Sequence, residues 1–181
     1  MKLGIYVGSF NPPHNGHMKV ANFLIDNKIV DKVIILPTPN YWDKQDLVDI
    51  NIRVDMLKLL ETDDIIIDNK HNNYPYTYQV LESLKKDYND TLYLIIGSDN
   101  LESFHLWKNI DKILKNYVIV LRRGNNEINK YLDKFDKNKF IVIDDFPFID
   151  VSSTKIREGS DDFLDPKVLQ YIRENKLYGR K

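Results

Sequence analysis

The chain of 181 residues has no cysteine. Disulfides, thiolate nucleophiles and Cys-ligated zinc are therefore excluded, and a reducing, cytoplasmic compartment is the simplest expectation. Long hydrophobic runs are also missing: no segment approaches the roughly 20 apolar residues that span a bilayer. The opening MKLGIYVGSFNPP carries one lysine and a short apolar run, without the small-residue cleavage site of a secretory signal. No membrane partner is expected. Neither sign of charge is in excess, since 26 basic residues face 27 acidic ones for a net charge of -1. No global positive field exists to hold a long polyanion such as duplex DNA, so nucleic acid is not expected either. Local basic groups remain able to bind a small phosphate ligand. Repeats, low-complexity tracts and long linkers are absent too, and residues 1–181 read as a single domain large enough to bury a sizeable core.

What is present is a recurrence of short, nearly continuous apolar runs: Leu3 to Val7, Val33 to Leu36, Ile65 to Ile67, Leu92 to Ile96, Tyr117 to Leu121 and Phe140 to Ile143. Continuous hydrophobicity rather than alternation predicts strands covered on both faces, as in a parallel sheet. Helical spacing lies between them, over Met18 to Asp26, Ile52 to Leu60, Thr77 to Lys86, Ile110 to Leu114 and Ile128 to Phe135. The alternation predicts an α/β fold with right-handed crossovers and a doubly wound, mostly parallel sheet. Ligands bind such sheets beyond the carboxyl ends of the strands. The last part, 151–181, changes to a small helical tail, with a helix start at Ser152 to Arg157 and a second helix over Pro166 to Asn175.

Glycine is scarce, 7 in the whole chain, yet GSFNPPHNGH (Gly8 to His17) holds two of them, with two prolines and two of the four histidines. The stretch sits between the first strand and the first helix. Glycine there lets backbone approach a ligand, and the helix N-terminus offers unpaired N–H groups to an anion. His14 and His17, three apart, would point in similar directions and could both donate to phosphate oxygens. The plain alternative is a turn with two surface histidines. A zinc site would have to draw in His71 and His105 without any cysteine, and no protein-held metal is expected. The stretch is neither G-x-G-x-x-G nor G-x-x-x-x-G-K, so the usual dinucleotide and P-loop fingerprints are absent. VSSTKIR (Val151 to Arg157) places three hydroxyls before a helical turn with an arginine one turn on, which gives N-cap acceptors and exposed donors for a polyphosphate.

GSFNPPHNGH resembles the ATP-binding signature G-x-F-(D/N)-P-x-H-x-G-H of a nucleotidyltransferase superfamily, and VSSTKIR resembles its partner signature (I/V)-S-S-T-x-I-R. Further stretches are similar to nicotinate or nicotinamide mononucleotide adenylyltransferases. Pro37 to Lys44 ends in a lysine where bacterial members have P-x-x-x-P-P-H-K, although Tyr41-Trp42-Asp43 replaces Pro-Pro-His, and Arg53 follows in a helix. Tyr76 to Leu81 resembles S-Y-T-x-x-T-L, with Thr77 as an expected N-cap. Gly97 to Trp107 matches G-x-D-x-x-x-x-L-x-x-W with Phe104 in the leucine position, and Leu121-Arg-Arg-Gly124 resembles A-R-P-G, aligning Arg122. Leu164 to Tyr178 resembles the family's C-terminal L-V-P…L-Y segment, after a shortened stretch following Arg157. The likeness runs from Gly4 to Tyr178.

The resemblance implies a Rossmann-like nucleotidyltransferase fold and transfer of AMP from ATP to nicotinate or nicotinamide mononucleotide, releasing pyrophosphate. It implies catalytic roles for His14, His17, Lys44 and Arg157. ATP contacts are implied at Gly8, Ser9, Phe10, Gly16, Gly97, Asp99, Arg122, Ser152 and Ser153 as well as at His14, His17 and Arg157. Contacts to the mononucleotide are implied at Asn11, Lys44, Arg53, Thr77, Tyr78 and Trp107, with Trp107 stacking on the pyridine. Mg²⁺ is expected to travel with ATP, held by phosphates and water. Nicotinate against nicotinamide, and monomer against homo-oligomer, stay open. The runner-up is a phosphopantetheine adenylyltransferase or a small cytidylyltransferase. A class I aminoacyl-tRNA synthetase is disfavoured because the chain has no K-M-S-K-S-like loop, no room for an anticodon domain and no net positive charge for tRNA, and a non-catalytic nucleotide sensor would be expected to have lost a histidine or the arginine.

Overall fold

A computed structural model describes residues 1–39, 47–124 and 127–181. Six strands, β1 (Lys2–Gly8), β2 (Lys32–Pro37), β3 (Ile65–Ile67), β4 (Thr91–Gly97), β5 (Tyr117–Leu121) and β6 (Phe140–Ile143), form one sheet in the order β3-β2-β1-β4-β5-β6. Every pairing is parallel. The chain winds outward from β1 to β2 and β3, then crosses back to β4 on the other side. The switch point is therefore between β1 and β4, where ligands bind doubly wound sheets.

The strands are apolar throughout because both faces are covered. Val33 and Ile35 pack with Val20, Leu24, Val54 and Leu57 of α1 (Asn15–Asp26) and α2 (Ile50–Lys58). Their neighbours Ile34 and Leu36 turn to the other face, against Val80, Leu81 and Leu84 of α3 (Thr77–Asp87). β5 repeats the alternation, with Ile119 and Leu121 on the α1 side and Val118 and Val120 opposite. The short helices α4 (Leu101–Phe104), α5 (Ile110–Ile113) and α6 (Ile128–Leu132) complete the second layer through Leu101, Phe104, Ile113 and Leu132. A separate cluster of Met56, Ile156, Leu164, Val168 and Ile172 joins α2 to the C-terminal helices α7 (Ser153–Arg157) and α8 (Pro166–Glu174).

All six expected strands are found, within a residue at each end. The helix ends differ where the cap is not the first apolar residue. α1 starts at Asn15 rather than Met18 because His14 caps it. α2 starts at Ile50 because the Asp49 carboxylate accepts from Asn51 N–H at 2.8 Å. α3 does begin at Thr77, but its N-cap is Tyr76, not Thr77, and Gln79 Oε1 accepts from the Tyr76 N–H at 3.2 Å. No helix among the described residues is long and apolar enough to cross a membrane.

Candidate active site

The GSFNPPHNGH loop leaves β1 at the switch point and is fastened from three directions. Arg53, 1% exposed, donates through Nη1 to Ser9 O (2.8 Å) and Thr38 O (2.7 Å), and through Nε to Val48 O (2.9 Å). It ties the ends of β1 and β2 to the start of α2. A substrate contact was expected at Arg53; the structure instead commits its guanidinium to backbone carbonyls in the interior, where burial lowers its pKa. From the C-terminal part, Arg157 Nη1 donates to Asn11 O (2.9 Å), Ser153 Oγ to Pro12 O (2.8 Å) and Tyr178 Oη to Asn11 Oδ1 (2.6 Å). From α1 itself, the N–H of Asn15 reaches Phe163 O at 2.8 Å. Thr38, itself held by Arg53, adds its N–H and hydroxyl, both donating to Gly8 O.

Held in this way, the loop delivers two imidazoles to the N-terminus of α1. His14 Nδ1 accepts from Gly16 N–H and His17 Nδ1 accepts from His14 N–H, each at 3.1 Å, a capping box built from histidines. The rings stack, 3.7 Å apart at 16°. Because each Nδ1 lone pair receives a backbone N–H, the ring proton of each neutral imidazole belongs on Nε2, and both residues present an Nε2–H donor. Burial, with Arg123 nearby, pushes the His14 pKa down to about 4. Burial, the His14 ring and Arg123 hold His17 well below its ordinary 6.5. The pair is thus neutral at physiological pH and offers N–H dipoles rather than charge. Phe10, 2% exposed, buttresses His17 edge-on at 4.8 Å, so it supports the site from the core.

Beside the pair lies a cavity of about 250 Å³ lined by Tyr6, Val20, Gly97, Asp99, Leu121 and Arg123 among others. Gly97 is needed here: a Cβ would meet Asp99 Oδ1 at 2.4 Å, so its absence lets the carboxylate fold back over β4. Arg122, aligned by the sequence reading as a nucleotide neighbour, turns instead to Asp144 at 2.5 Å. The reason is strand alternation. Arg122 continues the β5 ladder by donating to Ile143 O, on the parity of Val120, whereas Arg123 follows Leu121 onto the α1 face. Ser98, 1% exposed, pins that arginine: its Oγ accepts from Arg123 N–H at 2.7 Å. Ser98 and Arg123 were missed in the sequence; the signal was the parity of LRRG after a strand.

The segment after β4 runs on to a second cleft of about 320 Å³, formed by Pro75, Tyr76, Thr77, Trp107, Lys108 and Ile113. Trp107 stands edge-on to the buried Phe104 (4.8 Å, 69°), which fixes its ring at the cleft. Thr77 lines it as well, while Tyr78 packs against the core with Lys112 Nζ 5.3 Å from its ring. Arg157 lines a third, larger opening of about 610 Å³ with Val48, Thr154 and Tyr178. Ser152, expected to touch ATP, caps α7 by accepting from Lys155 N–H at 3.1 Å, and Ser153 serves Pro12 as described. Lys44 lies outside the described residues. Among the described residues no group of three or more His, Asp or Glu side chains is placed to hold a metal ion.

The Cytidylyltransferase-like family model matches residues 5–159. A probable nicotinate-nucleotide adenylyltransferase of Clostridium tetani is 34% identical, over 98% of both chains. The nicotinate-nucleotide adenylyltransferase of Bacillus subtilis is 33% identical, again over 98% of both. The chain belongs to the nicotinate-nucleotide adenylyltransferase family. Its fold is also that of the Plasmodium falciparum nicotinic acid mononucleotide adenylyltransferase complexed with NaAD, with a TM-score of 0.80 at 23% identity over 99% and 98% of the two chains. In this member of the adenylyltransferase family the paired histidines, the glycine that ends β4 and the tryptophan after α4 all come to the carboxyl edge of the sheet.

Proposed function

We propose that this chain joins nicotinate mononucleotide to ATP. A 5′-phosphate oxygen of the mononucleotide attacks the α-phosphorus, the bond from that phosphorus to the α–β bridging oxygen breaks, and pyrophosphate leaves. The nucleophile is already an anion, so no general base is required, and the protein contributes alignment and stabilisation of developing charge. The observation that carries this reading is the stacked His14–His17 pair, whose two Nε2–H donors sit at the N-terminus of a twelve-residue helix. A pair of fixed neutral donors and a helix end suit phosphate oxygens that gain charge as the bond breaks. Gly97 and Asp99 border the ATP side, and the Trp107 cleft is of a size and aromatic character suited to the pyridine ring. Arg157 extends from the loop brace toward the outer phosphates. Mg²⁺ carried with ATP would neutralise part of the phosphate charge, with no protein side chain needed to hold it. The carboxylated pyridine is preferred over the amide here because the curated relatives above act on the nicotinate nucleotide by name.

Pyrophosphate release with ATP and Mg²⁺ tests this, offering nicotinate mononucleotide, nicotinamide mononucleotide and phosphopantetheine in parallel. Release with the nicotinate nucleotide at the highest kcat/KM is expected; release with phosphopantetheine alone, or with none, overturns the reading. His17→Ala should lower kcat by roughly 100-fold, the loss of one donor aimed at developing charge.

A further inference from the structure

The neutral histidines add no charge to the ATP side of the site, and the exposed Arg123 borders it. We infer that the Arg123 guanidinium is a direct contact for the phosphate chain of ATP, a role that rests on the adenylyltransfer reading above. Arg123 borders the cavity that also holds Gly97 and Asp99, and its Cδ lies 3.8 Å from where a Gly97 Cβ would be. Its guanidinium carbon is 4.5 Å from the centroid of the Phe148 ring, a shelf that holds the planar head without neutralising it.

The neighbouring arginine supplies the contrast. Arg122 is paired with Asp144 at 2.5 Å. Among the described residues Arg123 forms no ion pair, although Asp99 borders the same cavity. Its backbone is fixed on both sides by Ser98, whose Oγ accepts from Arg123 N–H at 2.7 Å and donates to Arg123 O at 3.3 Å. A positioned guanidinium fork beside a pair of imidazoles, in no ion pair among the described residues, fits an anionic oxygen rather than a neutral base. Its field reaches the pair, for Arg123 lowers the pKa of both His14 and His17. A-R-P-G, the pattern that this segment resembles, has proline in its place, so the contact would be particular to chains with LRRG.

The test is calorimetric binding to the full chain of two probes, ATP with Mg²⁺ and adenosine, in the parent protein, Arg123→Met and Arg123→Lys. Met keeps an unbranched stem beside Gly97 and removes the charged, hydrogen-bonding fork. ATP should bind roughly tenfold or more weakly to Arg123→Met, the loss of one charge-assisted contact, with partial recovery in Arg123→Lys. Adenosine should bind both variants as it binds the parent. Equal weakening of adenosine would make Arg123 a contact for the base or ribose and overturn the proposal, as would unchanged ATP binding in a variant with parental circular dichroism. Binding needs no turnover, so a parent protein that binds ATP yet transfers no AMP would refute the functional reading and leave the Arg123 result standing by itself.

Discussion

Tyr178 Oη donates to Asn11 Oδ1 at 2.6 Å, joining residues 167 apart in sequence. Burial holds the Tyr178 phenol far above its ordinary pKa, so it remains a donor at any working pH. Asn11 is itself 3% exposed and stands three residues before His14, with its own carbonyl on Arg157. The C-terminal segment therefore completes the loop that carries the histidines, and the two ends of the chain share one site.

Tyr178→Phe removes only the hydroxyl. Asn11 Oδ1 loses its short partner and keeps, among others, the N–H of Val48 at 3.4 Å, a weak one. A loss of about 1–2 kcal/mol in urea unfolding is expected, with an unchanged slope, together with a several-fold fall in kcat as the loop loosens. Parental stability and parental kcat together would show that the contact braces nothing.

Gly16→Ala sets two effects against each other. Alanine in a helix is favoured over glycine by about 1 kcal/mol. At this position, however, the added Cβ would come within 2.8 Å of Val151 Cγ1 and 2.9 Å of His14 Cε1. His14 belongs to the site, and its ring must tilt. The expected result is a kcat lowered at least tenfold with little net change in thermal stability; an undisturbed kcat would mean that His14 has room to move without consequence.

Much of this was legible in the sequence for a physical reason. Each strand is apolar on both faces, as Val33 and Ile34 illustrate by entering opposite clusters, so continuous runs marked the sheet without needing tertiary knowledge. The loop stood out because histidine adds nothing to a turn. What escaped was whatever depends on direction. Nothing in the sequence distinguishes Arg53 from a surface arginine, and only its three carbonyl partners explain why a guanidinium is buried. Arg122 and Arg123 differ only in parity, which becomes readable once the end of β5 is fixed at Leu121. Ser153 was equally able to face a ligand or to tie down Pro12, and composition cannot choose between them. α4 spans four residues, too few for helical spacing to register.

Trp107→Ala separates the two clefts. The indole borders the cleft with Pro75 and Thr77, and a stacked base is worth on the order of 1–3 kcal/mol. The KM for nicotinate mononucleotide should rise about tenfold or more, while that for ATP stays within about twofold. Equal changes in both constants would place the tryptophan in the core rather than against a substrate.

The histidine pair also makes stability depend on pH in a predictable direction. In the unfolded chain His14 titrates near 6.5, whereas in the fold its pKa is about 4. Between those values the unfolded state binds more protons, so stability falls as pH drops from about 6.5 to about 4 and levels off below. For His14 alone the loss is on the order of 3 kcal/mol across the window, and His17, lowered for the same reasons, adds to it. His14→Asn keeps a good N-cap acceptor but does not titrate. Urea midpoints measured from pH 7 to pH 4.5 should therefore slope less steeply in this variant than in the parent. Identical slopes would mean that His14 is protonated in the fold, and its Nδ1 could then no longer accept from Gly16.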